Sequence, residues 1–171
     1  NSTKSDRMSD QFEPPWIKEA RAQIGTREIK GPRHEPKILA WWRAIKRGGI
    51  QDDETPWCAA FVGGCLEAVG IVSSRFESAR SYEKWGSALA APVYGCVVVF
   101  GRDGGGHVGF VVGQDSARNL MVLGGNQGDA VNIKAFQRSR VLAYRWPLGV
   151  SAPVDAPLPV LASAELSRNE A

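Results

Sequence analysis

The chain has 171 residues, of which 43% are hydrophobic and 23% charged, with a formal net charge of +3. That length and apolar share fit one domain with a full-sized core, and no apolar run is long enough to cross a bilayer. The small, scattered basic excess argues against a nucleic-acid surface. Three cysteines without zinc-knuckle spacing argue against both a disulfide framework and a metal site.

Residues 1–13 are polar, show no Sec-type signal peptide, and are expected to form a disordered lead. "PPWIKEARAQIG" then opens on prolines suited to a helix start and ends on Gly25, with Trp16, Ala20 and Ile24 on one face. "GPRHEP" reads as a turn that leaves His34 at the surface, and "KILAWWRAIKRGG" as a second helix stopped by Gly48 and Gly49. In "DDETPWCAAFVGGCLEAVG", Thr55 is the expected N-cap and Pro56 the first helical residue, so Cys58 falls in the first turn and Gly70 ends the helix. A further short helix is expected over 79–89. After Pro92 the pattern changes to the short β-branched and aromatic runs "YGCVVVFG", "HVGFVVGQ", "NLMVLGG", "AVNIKAF" and "RVLAYRWP", separated by turn residues. Helices followed by about five strands in an antiparallel meander predict an α+β domain over 14–147. Residues 148–171 are rich in Pro and Ala and read as a tail or linker, through which a targeting or partner domain could attach.

The chemistry begins at Cys58. A helix N-terminus offers unpaired N–H groups and a positive dipole end, both favouring a thiolate. The stripe Cys58, Phe61, Val62, Cys65, Leu66 and Val69 is expected to face the sheet. Cys65 lies seven residues on, roughly 10 Å along the axis, too far to bridge Cys58; it and Cys96 are expected in the core. The same spacing disfavours a metal site on Cys58, Cys65 and His107. His107 follows the glycine-rich "GRDGGG" and opens a strand, with Gly109 leaving room beside its ring. A third group should orient the imidazole, and Asn126 at the end of "LGGNQGD" is the candidate, with Gln127 its competitor. The acidic run Asp52, Asp53 and Glu54 matches the helix dipole or, alternatively, recognises a substrate amine.

Cysteine at a helix start, histidine at a strand start and an amide on the next strand is the order of a Cys–His–Asn site. Here the chain resembles the NlpC-type and CHAP cysteine peptidases and amidases of peptidoglycan, a papain-like group found in phage lysins and bacterial wall-acting proteins. The segments carrying the likeness are "PWIKEARAQIGTREIKG", "DDETPWCAAFVGGCLEAVG", "GHVGFVVG", "LGGNQGDAVNI" and "YRWP". One departure is Trp57-Cys58-Ala59, where NlpC-type enzymes have Asp-Cys-Ser. The resemblance implies Cys58 as nucleophile, His107 as general base and Asn126 as orienting residue, with amide hydrolysis in bacterial peptidoglycan, no cofactor and no metal. It also implies action at the cell wall or periplasm. A non-enzymatic wall-binding module and a lipid-directed cysteine acyltransferase on the same fold are the alternatives.

Overall fold

The computed structural model describes residues 13–53, 55–102, 104–153 and 156–162. Helix α1 (Pro15–Ala22) starts at the expected prolines and buries Trp16, Ile17 and Ala20. It stops before Ile24, which is 45% exposed, so Ile17 rather than Ile24 completes the inner face. Trp16 donates its indole N–H to Gly95 O at 2.8 Å and meets Trp146 edge to face, tying the first helix to the sheet.

Helix α2 (Pro36–Ala44) ends earlier than Gly48 and Gly49 suggested. Lys46 takes the left-handed position at φ 64°, with Arg47 N donating to Trp42 O and Lys46 N to Arg43 O. These are the two hydrogen bonds of a Schellman stop, here made around a lysine instead of the usual glycine. Helix α3 (Cys58–Ala68) ends the same way at Gly70, as expected, with φ 84° and Ile71 N donating to Leu66 O. Its start differs from the expectation: Trp57 is the N-cap and Cys58 the first helical residue. Asp52 Oδ1 accepts from Thr55 N at 2.7 Å, which ends the preceding turn and delays the helix.

Every residue of α3 from Cys58 to Leu66 is buried, not merely one stripe. A helix apolar all round belongs between layers, and α3 lies between α2 on one side and the sheet on the other. Gly63 and Gly64 make the helix contacts possible. A Cβ on Gly63 would overlap the Ile45 side chain, and one on Gly64 would lie 2.5 Å from the Trp41 ring.

The segment expected as a fourth helix divides in two. Ala79–Lys84 is a 3-10 turn whose N-cap, Ser78, accepts from Ser81 N; Ser87–Leu89 is a strand, β1. The remaining strands are β2 (Val97–Arg102), β3 (Gly105–Gln114), β4 (Leu120–Gly124), β5 (Asn132–Phe136) and β6 (Val141–Trp146). They form one six-stranded antiparallel sheet in the order β1-β6-β2-β3-β4-β5. The meander holds from β2 to β5; β6 then crosses to the far side of β2.

That crossing requires a rolled sheet. Strands β2 and β5 are three positions apart, about 14 Å in a flat sheet. Yet the rings of Phe100 and Phe136 stack at 4.5 Å between centroids. The α+β architecture, with the helices on the sheet, is compatible with a papain-like fold. The described part of the expected tail also packs on the domain. Gln114 N donates to Pro159 O at 2.9 Å and Leu161 N to Gln114 O at 2.8 Å. β3 outruns β2, and this segment occupies the edge left open.

A test of the helix packing follows. Gly64→Ala places a methyl against Trp41 and is expected to destabilise by about 1–3 kcal/mol, the usual range for overpacking. Gly49→Ala, whose added Cβ meets nothing within 4 Å, should leave the urea midpoint nearly unchanged. Equal midpoints for the two variants would refute the close approach of α2 and α3.

Candidate active site

The N-terminus of α3 and the first half of β3 converge. Cys58 is 6% exposed. Burial raises its thiol above the ordinary cysteine value; the backbone groups of Val108, Ala59 and Cys58 itself, with the Arg102 charge, oppose that rise without cancelling it. The sulfur thus lies beside the backbone of the residue that follows His107. The helix start was expected to favour the thiolate, but desolvation outweighs it. A buried protonated thiol needs a base to become a nucleophile.

His107 is 1% exposed. It sits opposite Phe100 across the β2–β3 ladder, and its ring lies nearly parallel to Phe136, 8° apart with centroids at 5.3 Å. The imidazole is part of an aromatic stack that Phe100 extends. Gly109 does leave volume on this face, and Val122 fills it.

Asn126 was the expected orienting residue, and the β3–β4 register explains why. Phe110 pairs with Leu123 and Val111 with Val122. An unbroken ladder would place Asn126 directly opposite His107. The chain leaves the ladder after Gly124, however, and Asn126 adopts a left-handed φ of 58°. That turn breaks the strand alternation and brings Gln127, the neighbour weighed against Asn126, to the ring: Gln127 Oε1 lies 3.0 Å from His107 Nε2. Both amide residues are buried, at 5% and 1% exposure.

The orientation of the Gln127 amide follows from its other end. Its Nε2 donates to Val122 O at 3.3 Å and to Asn132 O and Oδ1 at 2.9 Å each. With the NH2 group among three oxygens, Oε1 is the atom facing the imidazole and can only accept. His107 Nε2 therefore carries the proton in the neutral ring, and Nδ1 carries the basic lone pair. Two glycines allow this approach. A Cβ on Gly124 would collide with Gln127 Oε1 and lie 3.3 Å from His107 Nε2. One on Gly125 would lie 2.6 Å from Phe61 Cβ and 2.7 Å from the Trp57 ring.

The loop before α3 is anchored from the N-terminal segment. Asp53 is fully buried and accepts from Ile29 N at 2.6 Å, Glu35 N at 2.9 Å and His34 Nδ1 at 3.1 Å. Burial works against its charge, yet the Ile29 and Glu35 N–H groups and His34 outweigh burial and hold its pKa below the ordinary value. Asp53 is thus an internal staple, and His34 is partnered to it. Asp52 is a turn acceptor, and Glu54 lies outside the described residues. Trp57 is buried and donates to Glu28 Oε1 at 3.0 Å. Burial raises the Glu28 pKa, with the Asp129 and Asp53 charges adding to it against the Trp57 hydrogen bond. The segment carrying Glu28 pairs with the chain just after Gln127, through Glu28 N to Asp129 O and Val131 N to Thr26 O. One short segment thereby braces both the loop before α3 and the turn that carries Gln127.

Cys65 and Cys96 are buried free thiols, both raised by burial, Cys96 to about 12. Their core placement matches the expectation. No cluster of three metal-ligating side chains occurs among the described residues.

Comparison with known families finds the CHAP domain over residues 50–126. That span contains both Cys58 and His107. The CHAP resemblance read from the residues is thereby shown, and it points to a family of peptidoglycan-acting cysteine peptidases and amidases. No curated protein and no solved structure matches the chain.

The Asp53 staple makes a test with a definite sign. Its folded pKa is depressed, so its contribution to stability is present above the unfolded value of about 3.9 and lost as pH falls through the folded value. Asp53→Asn should lower the urea midpoint at pH 7 and weaken the acid-side loss of stability seen in the unsubstituted protein. An unchanged midpoint at pH 7 would show that the carboxylate does not hold the loop.

Proposed function

We propose that this chain, whose residues 50–126 match the CHAP domain, is a peptidoglycan hydrolase that cleaves an amide bond in the peptide part of the bacterial cell wall. The observation that carries the reading is the imidazole of His107, fixed through Nε2 by Gln127 Oε1 on the strand that faces the buried Cys58.

His107 Nδ1 takes the Cys58 thiol proton as Sγ attacks the amide carbonyl carbon, forming the S–C bond. The carbonyl oxygen becomes an oxyanion. The Cys58 backbone N–H, at the first helical position, has no intrahelical acceptor and is the donor we assign to it. On collapse the C–N bond breaks, and the proton held on His107 passes to the leaving amine. Water then loses a proton to His107 and attacks the thioester, releasing the carboxylic acid and restoring the thiol. Burial raises the Cys58 pKa and so favours the neutral thiol until a base is engaged.

For the orienting role, first expected at Asn126, the hydrogen bond to the ring favours Gln127. A role as phage lysin or antibacterial effector, acting at the wall as an endopeptidase or as an amidase at the glycan–peptide junction, is consistent with this chemistry.

Digestion of purified peptidoglycan tests the proposal. New free amino groups should appear without new reducing sugar ends, since a thiol acyl-enzyme cuts amides and glycosidases need flanking carboxylates. Cys58→Ala should reduce turnover by roughly 10³-fold or more with an unchanged thermal transition. Iodoacetamide should inactivate the enzyme, faster as pH rises toward the elevated thiol pKa. Near-normal turnover by Cys58→Ala, or reducing ends that persist after alkylation, would overturn the reading.

A further inference from the structure

We propose that Asn132 is a positioning residue that selects the tautomer of His107 by locking the Gln127 carboxamide. The inference rests on the reading of His107 as the general base. Asn132 is the first residue of β5 and the cross-strand partner of Gly124. It contacts Gln127 three times: its carbonyl and its Oδ1 both accept from Gln127 Nε2 at 2.9 Å, and its Nδ2 donates to Gln127 O at 2.8 Å. The last bond fixes Asn132 in turn, since Nδ2 faces a carbonyl and Oδ1 must then face the Gln127 NH2 group. The two carboxamides thus define each other's orientation.

The consequence reaches the imidazole. If the Gln127 amide flipped, Oε1 would face three oxygens, two of them from Asn132, and its NH2 would donate toward His107 Nε2. That arrangement favours the Nδ1–H tautomer, which has no lone pair on the nitrogen assigned to the Cys58 proton. At 1% exposure Gln127 is cut off from bulk water, which would otherwise satisfy either orientation. Asn132 touches neither substrate nor sulfur in this scheme; it acts through Gln127.

The chain has two histidines, so nitrogen NMR of protein labelled at histidine resolves His107 from His34, and a His34→Gln variant assigns the signals. The unsubstituted protein should show neutral His107 protonated at Nε2. Asn132→Leu should move the signals toward a mixture of tautomers or the Nδ1–H form, and should lower kcat on wall fragments by up to roughly 10²-fold, the lower bound of a general base's contribution, with little change in KM. Asn132→Asp keeps an acceptor for Gln127 Nε2 and should restore the Nε2–H signature. Asn132→Ala serves in place of the leucine variant if the latter does not fold.

An Nε2–H signature that persists in folded Asn132→Leu or Asn132→Ala would overturn the proposal, as would an Nδ1–H form in the unsubstituted protein. The tautomer is read without substrate, so the two readings fail separately. A tautomer that depends on Asn132 in a protein without wall hydrolysis sinks the hydrolase and spares the clamp. Hydrolysis with an unmoved tautomer does the reverse.

Discussion

Gly124 and Gly125 free the volume in which Gln127, Trp57 and Phe61 pack where the sheet meets α3, and the site depends on that packing. One glycine lets the Gln127 amide close on His107; the other lets Trp57 and Phe61 press against the end of β4. A side chain at Gly124 would push the amide off the imidazole, and one at Gly125 would separate Trp57 and Phe61 from the turn that carries the amide. The demand is steric and local, yet it sets the relation between two parts of the chain that folding must bring together.

Burial is the second constraint. Cys58, His107 and Gln127 are all nearly inaccessible, so hydrogen-bond geometry in the site is decided by protein groups and not by solvent. The same burial holds the thiol in its protonated form against the pull of the helix start. A thiol kept neutral until a base is engaged reacts less readily with stray electrophiles than a standing thiolate would.

Much of this was legible in the sequence. Proline at the helix starts, Gly70 at the end of α3 and the alternating runs after Pro92 placed most elements, because these signals act through backbone geometry within a few residues. Cys58 and His107 came from residue type and order, and the CHAP match encloses both. What was not legible depended on particular side-chain hydrogen bonds, near and distant, and on one turn conformation. The start of α3 was misplaced because Asp52 caps a turn that Thr55 was expected to leave. The acidic run looked like a single feature, but Asp53 reaches back to Ile29, His34 and Glu35. Asn126 was a sound choice for a continuous strand, and only its left-handed φ shows why the next residue meets the ring. Asn132 carried a faint signal, a polar side chain opening an apolar strand, but no local rule says which amide it would clasp.

The rolled sheet has a consequence for how the protein comes into being. Cys58 lies on α3, His107 on β3, Gln127 after β4 and Asn132 on β5, and Phe136 reaches Phe100 only when the sheet has curled. No single hairpin or helix brings Cys58 to His107, although Gln127 and Asn132 meet within the β4–β5 turn. Pairings of such sequence separation are among the slower steps of folding. A nascent or partly unfolded chain therefore holds Cys58 apart from His107, and the convergence of α3 with β3 is a late property of the finished molecule.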